Sequence, residues 1–244
     1  MGRQVKTEAI VLRSLRYGEA DRILNLYTRD RGRVGAIAKG VRRARSRFGG
    51  RLEPFFRLHI ELHEGRSELL TVTGAETIDG YPALRADAAA LDGASRSCDA
   101  VLRLFDTGEG HGDVFNLLCN RLALLGSADD AQRAQAAHRA GELAFRLKLM
   151  HAAGLAPQLA ACANCGEREH LVGFSGAAGG VVCGSCEAGS FALDERACEF
   201  MVTALGSPLR DVPAADAPYL AQAERAIAAT LEHHAHVRLI AAAA

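Results

Sequence analysis

Nowhere in the 244 residues does an apolar run reach the roughly 18 positions that a membrane-spanning helix requires. The opening stretch, MGRQVKTEAIVL, has no apolar h-region, so a secretory signal is not expected. Lys6 stands where a myristoylation pattern needs Ser or Thr. With no other address, the expected compartment is the cytosol. Catalytic signatures are missing too. The chain has no Walker A sequence, no G-x-S-x-G, no H-E-x-x-H and no Rossmann fingerprint. The glycine-rich GAAGG of residues 176–180 lacks the Lys-Ser/Thr and the following helix of a phosphate loop, and reads as a turn. Net charge is absent as well: 29 Lys/Arg cancel 29 Asp/Glu.

That cancellation hides an asymmetry. Residues 1–51 hold 14 Lys/Arg and 4 Asp/Glu, a net of +10, which leaves 15 against 25, a net of −10, for residues 52–244. A basic end joined to an acidic remainder implies an anionic partner at that end. The charge is densest in KGVRRARSRFGGR, where Lys39, Arg42, Arg43, Arg45, Arg47 and Arg51 occur with no Asp or Glu among them. A scattered charge run would read as a solvated face. A dense, arginine-rich one suits bidentate phosphate contacts and favours nucleic acid or another polyanion.

An apolar fraction of 49% is ordinary for a globular chain, and the length suggests one to three domains. Residues 5–80 read as five strands: TEAIVLRSL, DRILNLYT, GRVGAIA, FRLHIEL and SELLTVTGAET. In the fourth, Phe56, Leu58, Ile60 and Leu62 alternate with Arg57, His59 and Glu61. Five short strands fit a small barrel; affinity for polyanions points to an OB-fold, although the pattern alone leaves an SH3-like barrel open. The basic run falls in a long connection between strands three and four, about Lys39 to Pro54. Were it extended, Arg43, Arg45 and Arg47 would form a comb along one side. Phe48 could stack on a base or anchor the loop to the barrel.

After Tyr81-Pro82 the texture turns helical, with runs at 83–105, 113–126 and 131–154, then about 194–206 and 216–240. Leu143, Leu147 and Met150 share a stripe, with Arg146 and Lys148 off it. The expected fold is therefore α+β and multidomain. The expected division is 1–80 as the OB domain, 81–158 with 190–244 as a helical domain, and 159–189 as an inserted module. That module carries Cys162-x-x-Cys165 and, after 17 residues, Cys183-x-x-Cys186. The spacing matches a four-cysteine zinc pattern, and a shell of four thiolates leaves no open position for chemistry. Two disulfides or unrelated free thiols are the rival readings, and a cytosolic chain disfavours the disulfides. Cys98, Cys119 and Cys198 sit in apolar helical stretches and read as core, and His233, His234 and His236 as a solvated helix end.

Three stretches together resemble the RecO family of bacterial recombination mediators: TEAIVLRS, then YGEADRILNLYTRDRGRVGAIAKGVRRARSRFGGRLEPF, and later CANCGEREHLVGF with GGVVCGSC. The likeness runs from about residue 5 to 187. It implies an N-terminal OB-fold, a helical domain and an inserted zinc module holding one structural Zn. It implies binding of single- and double-stranded DNA, annealing of complementary strands, and work with RecR to load RecA on DNA coated by single-stranded DNA-binding protein (SSB). It also implies a role in the bacterial cytoplasm, at the nucleoid, and none at a membrane. Its DNA contacts would fall on Lys39, Arg42, Arg43, Arg45 and Arg47, with Arg51 a step beyond. Two rivals remain. One is an RNA-binding barrel with a zinc ribbon. The other is a metal-dependent nuclease built on Asp129-Asp130 or Asp194-Glu195, pairs that more simply open helices.

Overall fold

The computed structural model describes residues 3–43, 45–46, 48–108 and 110–242. The chain divides into two compact units, Met1–Ala128 and Asp129–Ala244.

The first unit begins with five strands, β1 (Gln4–Tyr17), β2 (Asp21–Thr28), β3 (Gly32–Ala38), β4 (Arg57–His63) and β5 (Leu70–Asp79). They close into a barrel in the order β1-β2-β3-β5-β4. All pairings are antiparallel except β3 with β5, a short parallel seam joining Ala36 to Leu70 and Ile37 to Thr71. This five-stranded topology, closed by the parallel seam, is that of the OB-fold and settles the barrel type that strand pattern left open. A bulge between Val11 and Arg13 bends β1, so its first half pairs with β4 and its second half with β2. Alternating residues of each strand, including Val11, Leu24, Leu26, Ala36, Leu58, Ile60, Leu62 and Val72, fill the interior.

Two helices, α1 (Ala88–Leu104) and α2 (Gly112–Leu125), belong to the same unit as the barrel. Asp87 caps α1 by accepting from the Ala90 amide. Glu8 on β1 accepts from Arg29 (3.1 Å) and Arg57 (2.6 Å), and both guanidiniums lie over the ring of Phe115 on α2, 4.8 and 5.9 Å from its centroid. The edge-on contact of Tyr27 with Phe105 (6.2 Å between centroids) adds to this seam.

The second unit holds α3 (Asp130–Ala137), α4 (Arg139–Ala152), a three-stranded sheet of β6 (Leu171–Ser175), β7 (Gly180–Cys183) and β8 (Phe191–Ala192), then α5 (Glu195–Gly206) and α6 (Ala217–His234). The helical run over 131–154 is two helices, not one. His138 takes an extended conformation (φ −63°, ψ 153°), ends α3 through its amide on the Ala134 carbonyl and opens α4 by accepting from the Ala140 amide. Gly141 permits the elbow: a Cβ there would lie 2.7 Å from the Ala136 carbonyl oxygen.

Leu143, Leu147 and Met150 are fully buried as their spacing predicts. Arg146, expected off the stripe, is buried as well, because α4 is covered on nearly every side. Its guanidinium meets Glu142 one turn back, Glu224 of α6 at 3.6 Å and the Ile240 carbonyl, while Arg139 meets Glu224 at 2.6 Å. The last helix ends at His234, short of the expected 240. His236 turns left-handed (φ 55°), and the Val237 amide donates back to the Leu231 carbonyl. Beyond it the Ala242 amide donates to Glu224.

Candidate nucleic-acid interface and metal centre

The connection from β3 to β4 leaves the barrel at Lys39 and returns at Arg57. It is a chain of tight turns and not an extended segment. Arg43, Ser46, Gly49 and Arg51 each donate their amide to the carbonyl three residues back, at 3.0–3.4 Å. Left-handed backbone at Gly40 (φ 66°) and Gly49 (φ 54°) makes the reversals possible. The described residues around Arg43 and Arg45 are therefore turned and not the extended strand on which a comb was expected; Arg47, its third member, lies outside the described residues. Phe48 resolves as the anchor: it is 2% exposed and packs in the barrel core with Val41 and Leu52. Burial of such a ring stabilises by about 1.5–3 kcal/mol and helps to seat the loop.

The loop is also tied to the β1–β2 turn. The Arg42 amide donates to the Ala20 carbonyl (2.9 Å), the Arg42 guanidinium to the Gly18 carbonyl (3.4 Å) and the Gly40 amide to the Asp21 carboxylate (2.7 Å). Lys39, Arg42, Arg43, Arg45 and Arg51 are exposed; Arg47 lies outside the described residues.

Pairing separates these cations from most others of the barrel. Lys6 pairs with Glu61, Arg22 with Glu53, Arg29 and Arg57 with Glu8, Arg31 with Glu64 and Arg33 with Asp106. Among the described residues, Lys39, Arg42, Arg43 and Arg45 enter no ion pair, and neither do Arg13 and Arg16 of β1. The latter two were not singled out by sequence. Their strand positions gave no signal, since only the tertiary pairing shows which cations are compensated. A cavity of about 1020 Å³ beside Phe48 and Arg51 is lined by Glu8, Glu61 and Glu76 as well as Lys6, which makes it a poor polyanion site.

In the second unit the cysteines converge. Cys162–Gly166 forms a tight turn, closed by the Gly166 amide on the Cys162 carbonyl (2.9 Å) and tied to β7 by the Ala163 amide on the Val181 carbonyl (2.8 Å). GAAGG is the turn of the β6–β7 hairpin, as read, and Cys183 with Cys186 brackets the turn that follows β7. The four Sγ atoms lie within 4.8 Å of one another. Cys165 and Cys183 are 3.6 Å apart, near the roughly 3.8 Å edge of a tetrahedron with 2.3 Å metal–sulfur bonds. All four are free thiols. The backbone of Cys183, with that of Cys165 and Asn164, stabilises the Cys162 thiolate against its burial and draws its pKa down to about 6. Hydrogen bonding to Cys165, followed by burial, pushes Cys186 up to about 12. Four sulfurs gathered this closely form a set that can hold a metal ion.

Among the described residues no other group of His, Cys, Asp and Glu converges in this way. His233 and His234 stack edge to face at 4.8 Å at the end of α6. Cys98 and Cys119 are buried; Cys198, half-buried, is less enclosed than the core position expected of it. The acidic pairs open helices. Asp129 accepts from the Ala131 and Gln132 amides, and Asp194 from that of Arg196. No described helix is long and apolar enough to cross a membrane.

Two family models cover the chain: "Recombination protein O N terminal" matches residues 1–81 and "Recombination protein O C terminal" residues 85–239. Among curated relatives, the DNA repair protein RecO of Anaeromyxobacter dehalogenans (strain 2CP-C) is 38% identical over 98% of this chain and 94% of its own length. That of Rubrobacter xylanophilus is 42% identical over 74% of this chain and 71% of its own. That of Bifidobacterium longum subsp. infantis is 40% identical over 73% and 72%. A barrel of OB topology, a four-cysteine cluster and matches along nearly the whole chain agree: the protein belongs to the RecO family of DNA repair proteins.

Proposed function

We propose that this protein is a non-enzymatic, DNA-binding recombination mediator of the bacterial cytoplasm, acting at the nucleoid. It binds single- and double-stranded DNA through Lys39, Arg42, Arg43, Arg45, Arg47 and Arg51, anneals complementary strands and, with RecR, assists RecA onto SSB-coated DNA. The observation that carries this reading is that Lys39, Arg42, Arg43 and Arg45 on the β3–β4 loop are exposed and enter no ion pair among the described residues, on a barrel whose other cations are largely paired to carboxylates. Annealing requires no covalent step. Two polyanions must be screened from each other while their bases stay free, and arginines on phosphates do that.

Residues 1–80 serve as the DNA-binding domain, 81–158 with 190–244 as the helical domain and 159–189 as the metal module. Cys162, Cys165, Cys183 and Cys186 hold one zinc ion, whose chemistry there is structural, since four thiolates complete its tetrahedral shell. They staple the module between α4 and α5. The acidic remainder of the chain, net −10, repels DNA and leaves the helical surface to protein partners.

The test is a strand-annealing assay on complementary oligonucleotides, with and without SSB, in the presence of RecR. Annealing faster than the spontaneous rate, and sustained on SSB-coated strands, is the expected result. Equal activity on RNA strands would point to the RNA-binding alternative, and cleavage of labelled DNA with Mg²⁺ to a nuclease. No acceleration on any polymer would overturn the proposal.

A further inference from the structure

Phosphate contacts by the loop arginines do not distinguish a single strand from a duplex, because both expose the same backbone. A feature beside the loop can. The end of β1 carries Tyr17, 54% exposed, and Leu15, 40% exposed, two of the few large apolar side chains on the surface. They stand two residues apart on a strand and share a face, together with Arg13. Tyr17 lies opposite Asp21 in the β1–β2 register, and its hydroxyl makes no hydrogen bond among the described residues.

The tip is fixed against the basic loop. Gly18, next in sequence, accepts from the Arg42 guanidinium, and Ala20 accepts from the Arg42 amide. Arg13, on the same face beyond Leu15, and Arg16, next to Tyr17 in sequence but on the opposite face of the strand, have no ion-pair partner among the described residues. An apolar platform at a turn bonded to Arg42 of the basic loop, with Arg13 on the same face, has the composition of a single-strand binding surface. Bases stack on the ring while guanidiniums follow the backbone.

We propose that Tyr17, supported by Leu15 and on the same strand face as Arg13, is a base-stacking contact that favours single-stranded over duplex DNA. The inference rests on the DNA-binding reading above and deepens it. Stacking needs an unpaired base with a free face, which a closed duplex does not offer outside its ends.

The experiment uses the full chain and three variants. Tyr17→Ala should weaken binding to an oligo-dT strand by about 5- to 150-fold, the range of one stacked base, with duplex affinity and both salt slopes unchanged. Tyr17→Phe should retain wild-type affinity, because the ring and not the hydroxyl makes the contact. The chain contains no tryptophan, so Tyr17→Trp introduces a single tryptophan that can be excited apart from the remaining tyrosines. Its fluorescence should be quenched by oligo-dT and left unchanged by duplex or by an abasic strand. Equal affinity of Tyr17→Ala and wild type for oligo-dT would overturn the proposal. So would equal losses on single strand and duplex, or a Tyr17→Trp emission indifferent to single strands. If the wild type bound neither polymer, the broader DNA-binding reading would fall instead, so the two failures are distinct. Tyr17 is exposed, so all variants should melt with the wild type; the tryptophan readout keeps the test decisive if the alanine variant does not.

Discussion

Charge reversal in the β3–β4 loop, Arg43→Glu with Arg45→Glu, tests the proposed interface most directly. The loop supplies six cations by sequence, five of them described and exposed. If about six phosphates are neutralised, log affinity should fall against log salt with a slope of roughly −4 on single strands and −5 on duplex. That corresponds to a loss of about 300-fold on single strands between roughly 50 and 200 mM salt. Removing two contacts should flatten the slopes to roughly −3 and −4, so the same change in salt costs the variant only about 50-fold. The weakening should be uniform across base sequences, since phosphate contacts carry no base information. Both side chains are exposed and unpaired among the described residues, so the melting temperature should not move. Phe48→Ala is the contrasting control. It removes a core ring and should cost about 3–5 kcal/mol in urea denaturation, lowering affinity by unseating the loop. The assay is fluorescence anisotropy of a labelled oligonucleotide titrated at several salt concentrations. An unchanged slope and affinity in the double variant would show that the loop is only a solvated face.

Cys162→Ser should bring metal content well below one ion per chain and lower the melting temperature, with the DNA salt slope unchanged; elemental analysis and a thermal scan read both. The ion network of α4 and α6 predicts an acid-sensitive component of stability. Burial raises the Glu224 pKa, but the Ala242 amide and Arg139 and Arg146 outweigh it and hold the carboxyl below its ordinary value. Its contribution is thus complete above the unfolded Glu value of about 4.3 and is lost as pH falls through the lower folded value. Glu224→Gln should cost roughly 1–3 kcal/mol at neutral pH and flatten that acid limb, as followed by urea denaturation across pH. A fragment ending at Ala128, which keeps α1 and α2 with the barrel, should bind single-stranded DNA but lose RecR- and SSB-linked activity. Equal mediator activity in the fragment and the full chain would refute the proposed division of labour.

Much of this protein is local, and local features are legible in a linear chain. Strand alternation in FRLHIEL, caps such as Asp129 and Asp194, and the two CxxC turns depend on neighbours a few residues away, so periodicity and spacing determined them. The density of arginine at 39–51 and the opposite charges of the two ends are likewise compositional. The tertiary structure decided what depends on distant partners. OB topology required the parallel β3–β5 seam, since five strands alone fit more than one barrel. Phe48 became an anchor because the loop folds back onto the core, and the expected arginine comb gave way to turns that use the backbone's own donors. Arg146 looked solvent-facing by helical spacing, yet Glu224, 78 positions along the chain, and the Ile240 carbonyl enclose it. The same holds for the interface. Sequence counts charges but does not show which are cancelled; folding pairs Arg22, Arg29, Arg31 and Arg57 with carboxylates, while among the described residues Arg13, Arg16, Lys39, Arg42, Arg43 and Arg45 enter no ion pair. Coulomb attraction acts through space, over a few ångströms, between residues that the chain holds far apart in sequence.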